Sequence, residues 1–272
     1  MKNYNQELDV LFDEWEEKSE ENGLSGFCRD GLLNKGKIFS HVNEEDGKTY
    51  WGREKKNENE LWYNATRKIL FLLKDTNSNP NEDMRCWIGR QHPTIISNRF
   101  FKNIALWFYG INSFQQNGTY ISFKNANNPI EFSKHFDDLP IALVNVKKES
   151  GGATVSDDTL LQYVGLTSEE NKIYGDCFGN YLRRQVAEIL MPNIIVCGGG
   201  VKIRVILEIV KKIIFPNLNF TKFDNWIYYN DEKNIILIDS YHPANRYSYE
   251  DVYEEMMKSL QQFYRVKRII RH

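Results

Sequence analysis

Cysteine is scarce in this chain, and no two cysteines are closely spaced. The four residues Cys28, Cys86, Cys177 and Cys197 are spread over 272 residues without a C-x-x-C motif. A disulfide framework or a cysteine metal site needs paired or clustered cysteines, so neither is indicated. We expect reduced thiols, with Cys197 inside a buried strand.

The chain also lacks a strong charge of one sign and a long apolar run. Its formal net charge of -2 excludes a uniformly basic coating for nucleic acid but is compatible with a locally basic groove. No apolar stretch is long enough to cross a bilayer. The N-terminal segment is acidic and lacks the apolar region of a signal peptide. We therefore expect a cytoplasmic protein.

An amphipathic helix pattern opens the chain, with Leu8, Leu11, Phe12 and Trp15 on one face. Residues 22–60 carry glycine, asparagine and charged residues with only short apolar pieces, which suits irregular structure or a small hairpin. We expect residues 1–60 to form a helix and an irregular extension, packed on a core domain of residues 61–272.

Apolar strands alternate with helix patterns in the rest of the chain. Helices are predicted over about 59–67, from an N-cap at Ser97, from Thr167 to Leu190, after Gly200, and at the end of the chain. Residues 114–138 are predicted as a loop with one short helix. Two strands with a turn at Asn230-Asp231 precede the last helix. Near-continuous apolar strands separated by helices indicate an α/β fold with a mostly parallel sheet covered on both faces.

Polar groups or glycines stand where four predicted strands end. These are Asp75 after ILFLLK, Asn145 after IALV, Gly198-Gly199-Gly200 after NIIVC, and Tyr241-His242-Pro243 after NIILIDS. In an open parallel sheet, ligands bind in the crevice beyond the carboxyl ends of the strands. The sequence therefore predicts that an acid, an amide, a glycine turn and an imidazole converge there.

Each of these groups also has a purely structural interpretation. Asp75 could cap a helix or a turn, and Asn145 could be a buried amide bound by neighbouring backbone. The three glycines match no dinucleotide or P-loop fingerprint, which favours a tight turn with close backbone approach. His242 is the best candidate among five histidines because Pro243 stiffens its turn. The other four, His41, His92, His135 and His272, are interpreted as surface residues.

Read together, residues 69–248 resemble the uracil-DNA glycosylase superfamily, closest in layout to its bacterial and archaeal iron-sulfur class. The segments VNVKK, CFGNYLRRQVAEILMPNIIVCGG and SYHPANR follow in the family's order and spacing. The resemblance implies a three-layer αβα sandwich around a mostly parallel four-stranded sheet. Two departures are plain: the first motif reads Leu73-Lys74-Asp75-Thr76, without the family's glycine and proline, and the four cluster cysteines are absent.

The resemblance also implies roles for individual residues. Asp75 and His242 match the family's catalytic acid and imidazole, and Asn145 matches the residue that reads the base. Trp87 stands near the position of the aromatic residue that stacks on the base, and Asn77, in the loop after the catalytic acid, is expected to contact the substrate. The residues expected to contact DNA are Lys147, Lys148, Asn245, Arg246 and Tyr247.

The resulting hypothesis is a DNA glycosylase-like enzyme that hydrolyses the N-glycosidic bond of a flipped damaged base, uracil or a related deaminated base. It requires no metal and no cofactor, and its partner is DNA. One alternative is a binding protein for nucleic acid or nucleotides that keeps the fold without the chemistry. Another is a metal-dependent phosphoesterase that uses Asp75, Asn145 and His242 as ligands, since GDCFGN resembles turns of such enzymes.

Overall fold

The chain folds around a central sheet with helices on both faces. The computed structural model describes residues 2–42, 47, 49–76, 80–89, 96–115, 118–151, 155–167, 177–199 and 204–267, with the backbone alone at residues 41, 50 and 87–89. All four cysteines are free thiols, as the sequence predicts.

Ten strands lie within the described residues and form two sheets. They are β1 (Gly31–Leu32), β2 (Ile38–Val42), β3 (Thr49–Arg53), β4 (Ile69–Asp75), β5 (Trp87–Gly89), β6 (Ala142–Lys147), β7 (Ile194–Gly198), β8 (Thr221–Lys222), β9 (Ile227–Asn230) and β10 (Ile235–Ser240). The larger sheet has the order β1-β6-β4-β7-β10-β9-β8, and β2, β3 and β5 form the smaller one.

Four neighbouring strands of the large sheet are parallel. β4 pairs in parallel with β6 on one side and β7 on the other, and β7 pairs in parallel with β10. Three short strands extend this core through antiparallel pairing. β1 pairs with β6, β9 pairs with β10, and β8 pairs with β9. The mostly parallel α/β fold is confirmed, but the sheet has seven strands rather than the expected four.

The helices of the described residues cover both faces of this sheet. They are α1 (Tyr4–Glu21), α2 (Glu58–Asn64), α3 (Arg99–Asn112), α4 (Phe123–Ala126), α5 (Pro129–Asp138), α6 (Asp157–Val164), α7 (Gly179–Arg183), α8 (Val205–Ile209) and α9 (Tyr249–Lys267). α7 continues as a π-helical segment over Arg184–Leu190, and α8 continues as one over Val210–Ile214.

The alternating side chains of the strands divide the apolar core into two layers. Leu70 and Leu72 of β4 pack with α1, α6, α7 and α8. Ile69, Phe71 and Leu73 pack on the other face with α3, α5 and α9. Because both faces are covered, β4 is apolar at every position from Ile69 to Leu73, as parallel strands of α/β folds are.

The N-terminal region belongs to the same core. Leu8, Leu11, Phe12 and Trp15 of α1 are fully buried, which confirms the amphipathic pattern. β1 adds a strand to the large sheet, and β2 and β3 form the hairpin that the sequence suggested. Residues 2–42 therefore help to build the edge of the sheet beside β6.

Two local expectations were wrong. α3 is capped by Asn98 rather than Ser97, because the Asn98 side chain accepts a hydrogen bond of 2.9 Å from the Phe100 N–H. The segment expected as a loop with one short helix contains α4 and also α5, which Asn128 caps and Pro129 opens. The sequence patterns did not predict α6, a helix of eight residues with Ser156 as its N-cap.

Candidate functional site

The strand order places the candidate site between β4 and β7. Among the four parallel strands, β6 lies on one side of β4 while the later strands β7 and β10 lie on the other. The place where successive strands are added on opposite sides of β4 is a topological switch point. In open parallel sheets, ligands bind there, beyond the carboxyl ends of the strands. We call the space beyond the ends of β4 and β7 the crevice. Asp75 ends β4, and Gly198 ends β7.

The His242-Pro243 turn crosses from β10 to the crevice. A Cβ atom on Gly198 would lie 2.9 Å from Leu73 Cδ2 and 3.3 Å from Pro243 Cδ. The missing side chain of Gly198 therefore leaves room for Leu73 and for the turn at Pro243, which agrees with the expected close backbone approach. Pro243, the residue after His242, therefore packs beside the strand end at Leu73, two residues before Asp75. Gly200 lies outside the described residues.

Asp75 is a partly buried carboxylate with two lysines nearby. Burial raises the pKa of Asp75 above its ordinary value, and the charges of Lys147 and Lys74 oppose that rise. Lys74 is held by an ion pair of 2.6 Å with Asp157 of α6. A Cβ atom on Gly151 would lie 2.9 Å from Asp75 Oδ2, so the chain after β6 runs close to this carboxylate.

His242 presents a hydrogen-bond donor from a rigid turn. The Ala244 N–H donates to His242 Nδ1 over 3.2 Å, which leaves the proton of the neutral imidazole on Nε2. Burial lowers the pKa of His242, and the positive charge of Lys74 lowers it further. At neutral pH the ring is therefore uncharged. Its Nε2–H has no acceptor among the described residues. The ring of Phe100 lies 5.7 Å from it, centre to centre.

Neighbouring side chains hold the turn in place. Asn103 of α3 is buried and donates to the Pro243 carbonyl over 2.5 Å. Arg99 donates to the carbonyls of Asn245 and Tyr247. Neither residue was a candidate in the sequence, because nothing local distinguishes them from other polar residues in the first turns of a helix.

Asn245 belongs to this scaffold as well. Its Nδ2 donates to the His242 carbonyl over 2.8 Å, and its Oδ1 accepts from the Tyr247 N–H over 2.9 Å. The expectation that Asn245 contacts DNA is therefore not supported, since its side chain is committed to the turn. Arg246 is exposed, and Tyr247 is exposed at 53%, so these two expected DNA contacts lie on the surface.

Asn145 lies beside Leu73 in the sheet, two residues before the position that pairs with Asp75. The side chain of Asn145 is buried, and its Nδ2 donates to Asp30 Oδ2 over 3.2 Å and to Met84 Sδ over 3.5 Å. The Met84 sulfur also accepts from Thr76 Oγ1 over 3.0 Å. One thioether thus links Asn145 to the residue that follows Asp75.

The expectation that Lys148 binds DNA is wrong. Its side chain has no exposed surface, and its Nζ lies 2.6 Å from Asp30 Oδ1. Burial lowers the pKa of Lys148, and the charge of Asp30 opposes that effect. Lys147 is also largely covered: its Nζ donates to the Glu149 carbonyl over 2.8 Å and lies 3.4 Å from Glu149 Oε2. Its charge also opposes the rise in the pKa of Asp75.

The remaining candidates have mixed outcomes. Asn77 and His92 lie outside the described residues, and the side chain of Trp87 is not described. The Trp87 backbone belongs to β5 and pairs with Gly52 in the small sheet.

The sequence did not indicate three neighbours of the site, Asp30, Met84 and Gln185. Asp30 precedes β1 in the segment interpreted as irregular, and no local pattern indicated that β1 would carry it to the end of β6.

Other features of the described residues add no ligand set at the crevice. They contain no group of three or more His, Cys, Asp and Glu residues that could hold a metal ion. No described helix is long and apolar enough to pass through a membrane. One cavity of about 290 Å³ is lined by residues at the end of β10 and by others, among them Arg204, Trp226, Asp239, Ser240 and Tyr241.

Comparison of the chain with protein-family models, curated proteins and solved structures found no match.

Proposed function

We propose that the crevice is the active site of a DNA glycosylase-like enzyme that cleaves the N-glycosidic bond of a flipped base. The observation that carries this proposal is the pairing of a carboxylate at the end of β4 with a neutral imidazole donor delivered to the same strand ends. The four parallel strands with helices on both faces are compatible with a core like that of the uracil-DNA glycosylases.

The two groups suit the charges that the reaction develops. When the glycosidic bond breaks, its electron pair moves to the base, the sugar becomes cationic, and water then adds to the sugar carbon. An anion near the sugar and a donor near the base oxygen stabilise that transition state. Asp75 supplies the anion, and the His242 Nε2–H supplies the donor without itself carrying a charge.

DNA binding would use the exposed rim next to this site. A base within a duplex must leave the stack before it can enter such a crevice. Arg246 and Tyr247 are exposed on the loop that follows His242, where a cation can contact phosphate and an aromatic ring can contact bases. Trp87 remains the proposed stacking partner of the flipped base.

A binding protein without catalysis is the second candidate. The amide of Asn145 is almost completely buried and bound to Asp30, and the charge of Lys74 lowers the pKa of both Asp75 and His242. The buried amide, and a cation whose charge acts on both groups without lying between them in any measured contact, would suit a site that holds a ligand without reacting. A metal-dependent phosphoesterase has no observation in its favour among the described residues.

Base release from oligonucleotides tests the proposal. Single- and double-stranded substrates would carry uracil, hypoxanthine, xanthine or an oxidised pyrimidine, and abasic sites would be revealed by alkaline strand cleavage. We expect release with the wild-type chain and with the exposed control Asp138→Asn, and loss with Asp75→Asn. Binding without release from any substrate would select the binding protein, and release abolished by a chelator would select metal chemistry.

A further inference from the structure

The cavity of about 290 Å³ lies at the carboxyl end of β10, where Asp239, Ser240 and Tyr241 form part of its wall. Ser240 pairs with Gly198, the last residue of β7, in the parallel sheet. His242 follows Tyr241 directly in the chain. The cavity therefore belongs to the same edge of the sheet as the crevice, one strand further along. The proposed reaction gives its lining residues no role.

Asp239 is a nearly buried carboxylate with few hydrogen-bond donors. Its side chain is 9% exposed, and its one ion pair within the described residues joins Oδ2 to Arg204 Nε over 3.0 Å. No described residue donates a hydrogen bond to its Oδ1. Burial raises the pKa of Asp239, although nearby cations oppose the rise. Because buried carboxylates normally accept several hydrogen bonds, a ligand that donates to Oδ1 would stabilise this one.

Aromatic rings line the cavity together with this carboxylate. The Asp239 N–H donates to the Trp226 carbonyl over 2.7 Å, so the carboxylate and the indole ring extend from hydrogen-bonded points of the backbone. The Tyr241 ring meets Trp226 edge to face at 5.6 Å, centre to centre, and Tyr247 lies 4.7 Å from Tyr241. The three rings therefore form a row that leads from the cavity to the exposed loop after His242.

The charges of the cavity favour a neutral ligand. Glu255 of α9 adds a second, exposed carboxylate to the wall, and the two carboxylates disfavour a phosphate or another anion. A cationic ligand would face Arg204, which already lies against Asp239. The class that remains is a neutral, planar molecule that donates N–H groups and stacks on aromatic rings. Cytosine and adenine have these properties, because each carries an exocyclic amino group on a flat ring.

We propose that this cavity is a second base subsite, which holds the base next to the flipped one when that neighbour is cytosine or adenine. This inference rests on the proposed function. Neighbouring strands of a sheet lie about 4.8 Å apart, so a DNA chain with one base in the crevice brings the next nucleotide close to the cavity. Thymine and guanine carry a carbonyl oxygen where cytosine and adenine carry the amino group. That oxygen would place an unpaired acceptor against Asp239.

The bases that flank uracil in the substrate test this subsite. Single-stranded oligonucleotides carry one uracil with cytosine, adenine, thymine or guanine on its 5′ side, and a second set varies the base on its 3′ side. On one of the two sides, we expect kcat/KM of the wild-type chain to be about 10-fold higher with cytosine or adenine than with thymine or guanine. In Asp239→Asn the amide can donate to a carbonyl oxygen as well as accept, so this preference should be lost.

Asp231→Asn is the matched control, because Asp231 is an exposed carboxylate in the turn between β9 and β10. It should keep the preference of the wild type. Thermal unfolding shows whether each variant is folded, and the wild-type preference is a test that needs no variant. Equal kcat/KM for all four neighbours on both sides would overturn the proposal, and so would a preference that a folded Asp239→Asn retains.

A second measurement does not depend on catalysis. Saturation-transfer NMR compares the binding of free deoxycytidine and free thymidine to the wild type, Asp239→Asn and Asp231→Asn. If no oligonucleotide loses its base, the proposed function fails, and this measurement alone decides whether the cavity is a base subsite. Stronger binding of deoxycytidine that is lost only in Asp239→Asn supports the subsite. Equal binding of the two nucleosides by the wild type, or binding of neither, contradicts it.

Discussion

At the scale of single residues, the burial of the Asp75 carboxyl group works against the stability of the folded chain at neutral pH. Burial raises the pKa of Asp75, so the folded state favours the protonated carboxyl. The stability that this preference contributes is present at acidic pH and is lost as the pH rises through the folded pKa. At neutral pH the ionised carboxylate therefore lowers the free energy of unfolding, partly offset by Lys147 and Lys74.

We expect Asp75→Asn to separate these two effects. Removing the buried charge should leave the melting temperature unchanged or raise it by about 1–3 °C, a small value because the side chain is partly exposed. Base release should fall by about 10²–10³-fold because the anion near the sugar is lost. Thermal unfolding and single-turnover kinetics check the two effects. A variant with a lower melting temperature and full activity would contradict both.

The pH dependence of base release should report both groups of the crevice. Asp75 must be ionised and His242 neutral, and both conditions fail as the pH falls. Because the pKa of His242 is lowered from 6.5, kcat/KM should be constant from about pH 7 to 8 and decline at acidic pH. Below both pKa values the logarithmic slope should approach about 2. In His242→Gln it should approach about 1, and a slope unchanged by that substitution would remove His242 from the reaction.

At the scale of elements, buried polar contacts join α1, β1, β6 and α6 beneath the crevice. Ser19 of α1 donates to Glu149 over 2.5 Å, and Tyr163 of α6 donates to the same carboxylate over 3.2 Å. Lys148 binds Asp30 and lies 5.0 Å from the centre of the Trp15 ring. The residues after β6 are therefore fixed by an N-terminal helix that is distant in sequence.

Lys148→Met should test whether this lysine is structural. Breaking a buried ion pair leaves Asp30 uncompensated, at a cost of about 3–5 kcal/mol in the free energy of unfolding. The control Lys212→Met removes an exposed partner of Glu208 and should cost less than about 1 kcal/mol. Urea unfolding measures both. If the two variants are equally stable and Lys148→Met alone binds DNA more weakly, Lys148 contacts DNA and its role is not structural.

At the scale of the whole molecule, the net charge of -2 leaves DNA binding to a local surface. Arg246 and Tyr247 are exposed on the loop after His242, and Arg99 and Lys102 lie over the ring of Tyr249 close to that loop. Three cations therefore lie on or beside this loop, and the acidic residues Glu250 and Asp251 follow it in the first turn of α9.

Arg246→Ala should weaken DNA binding through this rim. If Arg246 contacts one phosphate, the slope of log affinity against log salt should become shallower by about 1. Lys212→Ala, on the π-helical segment that follows α8, removes an equal charge and should leave the slope unchanged. Titration of a single-stranded oligonucleotide at several salt concentrations measures both variants. Equal slopes for Arg246→Ala and the wild type would place the phosphate contacts elsewhere.

The sequence by itself determined the alternation of strands and helices, the apolar face of α1, the strand ends at Asp75 and Gly198, and the stiff turn at His242. These follow from local rules: runs of apolar residues, helical spacing, and the restricted backbone of proline. The parallel core could be predicted for the same reason, since strands buried on both faces are apolar throughout.

Only the tertiary structure decided which polar residues meet. VNVKK places Lys147 and Lys148 side by side, yet the charge of Lys147 acts on Asp75, whereas Lys148, the first residue after β6, is buried against Asp30. Asp30 reaches β6 because the next residue, Gly31, pairs with Leu143, which lies 112 positions later in the chain. No local pattern encodes a pairing across such a separation, since it depends on how the two strands pack within the folded chain.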